Sequence, residues 1–193
     1  MAVREGKPLG TGYFGRDCMV LPTGDVRTVI NCGVDQILCG TNVTRRRINE
    51  AVRARDGRTT WYPEPGERLV CLVNQHQQGL LNGSVWIARG TAFGRSRYSK
   101  EPLIRVDVEP EDGGGLPQQI VVPIASFDKC FDYAYALTVH KAQGSQWDNV
   151  VLIDESWVLE RVCGIATVRW LYTGITRAAK QLTVIKRLAR VPQ

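Results

Sequence analysis

Two stretches of the 193-residue sequence carry residues spaced for nucleotide chemistry. Gly10-Thr-Gly-Tyr-Phe-Gly15-Arg16-Asp17 has the glycine spacing of a loop that cradles phosphates. Such a loop needs a Lys to reach the terminal phosphates and a Ser or Thr to hold magnesium. Arg16 and Asp17 stand there instead, the Asp repels phosphate, and no strand is expected before the loop. The stretch is therefore read as lacking that function. Val150-Val-Leu-Ile-Asp154-Glu155 places four apolar residues before an acidic pair, like a strand that presents carboxylates to magnesium. With no phosphate loop beside it, it is read as a core strand ending in solvated acids.

Metal chemistry has little support. The six Cys, at 18, 32, 39, 71, 130 and 163, include no C-x-x-C pair, and there are two His. Structural zinc needs closely paired ligands, so no metal site is expected, and the cysteines read as reduced intracellular thiols. Basic residues are more suggestive. The net charge is +6, residues 41–60 hold six Arg against two acids, and residues 169–193 hold six Lys or Arg and no acid. That balance leans towards a polyanionic partner. Trp61, Trp86, Phe93 and Tyr98 fall near Arg95, Arg97 and Lys100, an interleaving that suits base stacking and phosphate contact. In a small β module, Trp86 and Phe93 are expected in the core. No apolar run is long enough to span a membrane and no signal peptide is expected, which points to the cytoplasm.

The elements that must hold these residues form three blocks. In the first, residues 1–33 read as mostly irregular chain. Residues 35–40 read as a buried strand, and a helix over 44–55 is capped by Asn42 or Thr44. In the second, strands are expected at 67–73, 103–108 and 120–124. Asn82-Gly83 is expected to join Leu80-Leu81 to Val85-Trp86-Ile87 as a hairpin, and 112–117 is a loop. In the third, strands at 133–139, 149–154 and 181–186 surround a helix over 166–179. The economical architecture is α/β: residues 1–60 and 127–193 form a parallel-sheet domain, interrupted by a small β-barrel at 61–126.

Three segments carry a family signature. They are Asp35-Gln-Ile-Leu-Cys-Gly-Thr-Asn42-Val-Thr-Arg45-Arg-Arg-Ile-Asn49, then Tyr135-Ala-Leu-Thr138-Val-His140-Lys141-Ala-Gln143-Gly144-Ser145-Gln146-Trp147, then Leu171-Tyr172-Thr173-Gly174-Ile-Thr176-Arg177-Ala178. In order and spacing they resemble motifs IV, V and VI of superfamily 1 DNA helicases of the RecD/Dda type, and best the UvrD-like helicase C-terminal domain. The stretch from Pro65-Gly66-Glu67-Arg68 to Asn82-Gly83 resembles the SH3-like module that such proteins insert between motifs IV and V. Arg4-Glu-Gly-Lys-Pro-Leu9 resembles the connector that leaves a first motor domain. Trp147 departs from the smaller residue expected at its place.

The resemblance implies a RecA-like second motor domain without a phosphate loop of its own. ATP and magnesium would be held mainly by an N-terminal RecA-like domain absent from this sequence. Arg177 would be the arginine finger, and one of Arg45–Arg47, best Arg45, a second arginine at the phosphates, with Arg46 also on the nucleotide side. Gln143, Gly144, Tyr172 and Thr176 would line the nucleotide and couple it to DNA grip. Asn42, Thr138, His140 and Lys141 would hold single-stranded DNA, joined by Arg95 and Arg97 of the β module. The whole would be a helicase of 5′-to-3′ polarity. The chain alone, a truncation, a fragment or half of a split enzyme, is expected neither to hydrolyse ATP nor to unwind DNA. A non-enzymatic nucleic-acid-binding module or part of an RNA helicase remain the alternatives.

Overall fold

The computed structural model describes residues 9–74, 80–163 and 167–189. Residues 4–8 of the expected connector, His76, and the first residue of the expected 166–179 helix lie outside the described residues. In chain order come β1 (Gly12–Phe14), β2 (Cys18–Leu21), α1 (Val26–Asn31), β3 (Gln36–Cys39) and α2 (Asn42–Arg55). There follow β4 (Arg68–Cys71), β5 (Val85–Arg95), β6 (Pro102–Pro110), β7 (Gln118–Pro123), α3 (Phe127–Cys130) and β8 (Phe131–Tyr133). The chain continues with β9 (Ala136–Thr138), β10 (Trp147–Ile153), α4 (Ser156–Cys163), α5 (Thr167–Ile175) and β11 (Ala178–Ile185). Two units result, one of Met1–Arg55 with Tyr135–Gln193, the other of Asp56–Ala134. The division falls after Arg55 and Ala134, not at 60/61 and 126/127.

The first unit is a six-stranded sheet in the order β1-β2-β11-β10-β3-β9. All neighbours are parallel except the β1–β2 hairpin at one edge. Parallel strands are covered on both faces, so they read as continuous apolar runs, and β3 and Val150–Ile153 of β10 are wholly buried. On one face Ile48 and Val52 of α2 and Val29 of α1 pack with Ile37, Val151 and Ile153. On the other, Gly174 of α5 lies against Leu152 and Val139. Along the exposed edge of β9, Asn49 of α2 accepts from the Ala136 N–H (2.7 Å) and donates to its carbonyl (3.5 Å), standing in for a missing strand.

Three expectations are corrected here. Residues 9–33 are not irregular: they supply β1, β2 and α1, and β2 joins the parallel sheet. The glycine-spaced stretch at 10–17 is the β1–β2 hairpin, whose turn uses Gly15 at φ +73°. The apolar run at 133–139 is two strands. β8 pairs antiparallel with β4 in the second unit, whereas β9 pairs parallel with β3 in the first. No Gly or Pro marks the break, so a period-2 pattern passes through it. Asn82-Gly83 does form a turn, with Gly83 at φ +92°, but β5 pairs with β4 rather than with Leu80-Leu81. The Gly83 N–H donates to the Cys71 carbonyl (2.8 Å) and extends that ladder.

The second unit is a five-stranded antiparallel sheet in the order β7-β6-β5-β4-β8. Leu69, Trp86, Ile104, Val106, Ile120, Phe127 and Phe131 are in its core. β5 and β6 shift register between Ala88 and Gly90, a bulge that turns the outer half of this long hairpin. Phe93, expected in the core, is 50% exposed beyond that bulge.

Gly174 is where the packing of the first unit leaves least room. A Cβ there would stand 2.9 and 3.0 Å from the two methyls of buried Leu152 and 3.2 Å from Val139. Ala gains about 1 kcal/mol in helix propensity over Gly, so Gly174→Ala is expected to be nearly neutral or mildly destabilising. Gly174→Val, with two further methyls in the same gap, is expected to lose about 2 kcal/mol or more. Urea unfolding of the three proteins checks the order.

Candidate functional site

The candidate residues of the first unit gather at the two opposite edges of its parallel sheet. At the edge where the strands end, β3 runs through Gly40 into α2. Helix α2 has no acid in its own first turn, leaving its N–H groups and positive dipole end to be satisfied from elsewhere. Thr41 caps it, in place of the expected Asn42 or Thr44: its Oγ1 accepts from the Thr44 N–H (3.2 Å) and its carbonyl accepts from the Arg45 N–H (3.1 Å). The charge comes from Glu155, just past β10. One carboxylate oxygen accepts from the Gly40 and Thr41 N–H groups (both 2.8 Å), the other from the hydroxyls of Thr41 (3.1 Å) and Thr44 (2.6 Å).

The two acids after β10 are thus not solvated ends. Asp154 accepts from the Ser156 N–H (3.0 Å) at the start of α4, and Glu155 is committed to α2. Neither is disposed to hold magnesium, and among the described residues no group of His, Cys, Asp and Glu has the makings of a metal site. Beside them Cys39 is buried, and burial pushes its thiol pKa up; the Glu155 carboxylate adds to that shift and Arg45 opposes it.

The three arginines of α2 separate cleanly. Arg45 is 6% exposed and its Nε donates to Asn42 Oδ1 (3.2 Å). Arg46 faces solvent, and Arg47 donates to the Ala189 carbonyl (3.0 Å). Asn42 is exposed, as is His140; Thr138 is buried at the end of β9, where its Oγ1 accepts from the half-buried Lys141's N–H (3.4 Å).

At the other edge, where the strands begin, α5 ends and β11 starts. Arg177 is half-buried in that turn, with its carbonyl accepting from Trp147 N–H at the head of β10 (2.9 Å). Its guanidinium is held at three points: Nε donates to Thr173 O (3.1 Å), Nη1 to Ser145 O (3.0 Å) and Nη2 to Thr176 Oγ1 (3.1 Å). All three acceptors are neutral, and no carboxylate among the described residues pairs with it. Of the five N–H groups of a guanidinium, one on each Nη has no partner among the described residues. Gln146 donates to Thr176 O (3.2 Å), tying segments V and VI together a second time. Tyr172 is half-buried one turn back on α5, and its carbonyl accepts from Thr176 N–H (3.1 Å).

Between the edges, residues 139–146 carry the chain from the end of β9 to the start of β10, past β3, which lies between those strands. Three tight bonds fold it: Ala142 N–H to Thr138 O (3.0 Å), Gln143 N–H to His140 O (3.4 Å) and Ser145 N–H to Ala142 O (3.2 Å). Gln143 and Gly144 are exposed on it, Gly144 at φ +91°. Arg45 and Arg177 stand at different levels of the sheet. Arg177 is level with Trp147, whereas Arg45 lies beside Cys39, which continues the β3–β10 register to the level of Ile153. Six residues of strand separate those levels, roughly 20 Å, too far for both side chains to meet one terminal phosphate. Sequence reasoning also missed Glu155, Thr41 and Asn49; the missing acid in the first turn of α2 was the one signal for Glu155.

A parallel sheet covered by helices on both faces makes this an α/β unit that resembles RecA-like domains. Residues 133–185 match the family model described as UvrD-like helicase C-terminal domain. The RecD subunit of the RecBCD enzyme of Buchnera aphidicola (Schizaphis graminum strain) is 27% identical over 166 residues, covering 77% of this chain and 24% of that protein. An uncharacterized protein of Methanocaldococcus jannaschii is 43% identical over 58 residues, covering 30% of this chain and 5% of that one. The Bacteroides Pif1 helicase in complex with ADP-AlF3 and ssDNA has a TM-score of 0.50 at 13% identity, over 100% of this chain and 46% of that one. A structure of Pif1 helicases unwinding forked dsDNA has a TM-score of 0.51 at 14% identity, over 81% of this chain and 41% of that one. Residues 133–185 thus resemble the UvrD-like helicase C-terminal domain, and most of the chain is similar to part of the RecD subunit. The chain spans about a quarter of the RecD relative and less than half of either Pif1 chain.

The capping role of Glu155 is measurable. Glu155→Ala strands two backbone N–H groups and removes the charge at α2, an expected loss of about 2–4 kcal/mol. Glu155→Gln, which keeps an acceptor but not the charge, is expected to lose less than half of that. Chemical denaturation distinguishes them, and equal losses would show that the charge contributes nothing.

Proposed function

We propose that this chain is the second motor half of an ATP-dependent DNA helicase, with Arg177 as the arginine that reaches ATP bound on a separate N-terminal RecA-like domain. One observation carries the reading: Arg177 is oriented by three neutral oxygens, has no acidic partner among the described residues, and keeps one spare N–H on each Nη. A fork of two parallel donors fits two phosphoryl oxygens. Charge spread over those oxygens in the transition state is what such a group stabilises.

Thr176 and Tyr172 position that arginine, and Gln143 and Gly144 line the segment beside it. At the opposite edge Asn42, Thr138, His140 and Lys141 take the phosphates of single-stranded DNA, and Arg45, by its location, belongs to that edge. Arg46, exposed on α2, is placed there too. The residues 139–146 join the two edges, so a shift at the nucleotide is passed to the DNA contacts through one short segment. Asp154 and Glu155 are engaged as helix caps, which supports leaving the magnesium ion to the other domain. The second unit acts as the SH3-like insert, Arg95 and Arg97 adding a DNA contact. The polarity is 5′ to 3′, in line with the family resemblance.

The purified chain, with single-stranded DNA present, is expected to release no phosphate from ATP. Steady hydrolysis that disappears in Arg177→Ala would overturn the division of labour. In a protein that joins this chain to a first RecA-like domain, Arg177→Ala is expected to lower kcat by about 10³-fold or more while KM for ATP changes little. Arg177→Lys does not rescue it, because a point charge does not replace the fork.

A further inference from the structure

The second unit carries two aromatic rings that its core does not use, joined to it by a third. Trp61 and Phe93 are 53% and 50% exposed, and Tyr62 is partly buried between them and the core. The rings touch in a chain: Trp61–Tyr62 at 5.6 Å and Tyr62–Phe93 at 5.1 Å are edge-to-face, and Trp61–Phe93 at 5.8 Å is tilted. They are held in place. Thr91 Oγ1 donates to the Pro63 carbonyl (2.5 Å), which fastens the segment carrying Trp61 and Tyr62 to β5. Phe93 is registered against buried Ile104 of β6. An apolar surface made of fixed, half-exposed rings marks an interaction site rather than unfinished core.

The charge around it selects the partner. Arg95 is two residues beyond Phe93 on the same face of β5, and Arg97 and Lys100 follow in the turn. All three are exposed and none makes an ion pair among the described residues. The turn is built rather than loose: Ser96 N–H donates to Glu101 O (2.9 Å), and Ser96 Oγ accepts from the N–H groups of Tyr98 (3.3 Å) and Ser99 (3.2 Å). It holds Tyr98 fully exposed. Ring faces followed at strand spacing by unpaired guanidinium groups match the alternation of base and phosphate along a single strand.

We propose that Trp61 and Phe93 form a base-stacking site on the second unit, continued by Arg95 and Arg97 as phosphate contacts. The ligand is a single-stranded nucleic acid, taken by its bases and with little sequence preference. This deepens the DNA contact given above to Arg95 and Arg97 and rests on that reading; it does not depend on Arg177.

The test is fluorescence-anisotropy titration of the full chain at one fixed low salt, with dT15 and with an abasic deoxyribose-phosphate strand of equal length and charge. The wild type is expected to bind dT15 more tightly than the abasic strand. Trp61→Ala with Phe93→Ala weakens dT15 by about ten- to a hundredfold, leaves the abasic strand unchanged, and so removes the preference. Arg95→Ala with Arg97→Ala weakens both strands alike, and Trp61→Phe with Phe93 intact restores most of the preference, which a merely misfolded double variant would not explain. The proposal is overturned if the aromatic double variant binds dT15 like the wild type, or if it loses both strands equally. It is also overturned if a proline-rich peptide binds in a Trp61-dependent manner while the chain shows no base preference. Thr138→Ala with Lys141→Ala separates the two readings. If it has no effect while the aromatic variant does, the DNA edge of the motor unit fails and the stacking site stands; the reverse pattern removes only the stacking site.

Discussion

A single carboxylate organises the first unit. Glu155 leaves β10, the central strand, and places its two oxygens against two backbone N–H groups and two hydroxyls at the start of α2. Hydrogen bonds to a charged acceptor contribute about 1.5–3 kcal/mol each when well made, and an anion at a helix N-terminus adds up to about 2 kcal/mol where partly buried. The sum is not additive, but among the described residues no other polar contact in the unit joins a strand end to a helix start at so many points. It fixes where α2 begins, and with it the direction in which Asn42 and Arg45 point and the reach of Asn49 to β9. The same close fit explains Gly40, where a Cβ would stand 3.0–3.2 Å from Glu155, Leu159 and Trp170.

From that fixed edge the architecture sets up a problem of transmission. The strands are too long for a side chain at one end to touch a ligand at the other. Helix α5 and β11 hold Arg177 at one end; α2 and β9 hold the polar residues at the other. Residues 139–146 run between them outside the strands. Val139 is wedged where Gly174 approaches, and Ser145 accepts from Arg177, so the segment is gripped by α5 near its start and by the arginine near its end. Between these grips Gln143 and Gly144 are exposed, with Gly144 in a conformation that L side chains avoid.

Much of this was legible in the sequence because the motifs are local. Segment V is one strand end plus a turn, and segment VI is one helix end, so residue order carries their geometry. What failed was non-local. Whether Arg45, Arg46 or Arg47 is the buried one depends on helix phase against a sheet, and their distance from Arg177 depends on strand register. The run Tyr133–Val139 satisfies two sheets at once in its alternation, and only the competition for partners breaks it. The acids at 154 and 155 looked idle because their donors are Ser156 nearby and Gly40, Thr41 and Thr44 more than a hundred residues away. Counted from buried Trp86 and Ala88, Phe93 is out of phase; the bulge at Arg89 returns it to the face of Ile104, yet it stays half-exposed there.

The excess of positive charge acquires meaning only once its partners are counted off. In the second unit two of the four acids at 107–112 are paired with bases, Glu111 with Arg68 (2.5 Å) and Glu109 with Arg89 (2.9 Å), while Asp107 accepts from Gln119 and Asp112 from the Gly114 N–H. Glu64 is held by Arg58 and Thr60, and those hydrogen bonds lower its pKa. Exposed pairs of this kind contribute little to stability. Their larger effect is to decide where the field is left over. Bases before the bulge are matched or outnumbered by acids, whereas Arg95, Arg97 and Lys100 beyond it make no ion pair among the described residues, so the turn at 95–101 is the basic end of the sheet. The turn carries only part of the net charge of +6, Arg95, Arg97 and Lys100 against Glu101, but a local excess held on one built turn acts on an anion more strongly than the same charge spread evenly.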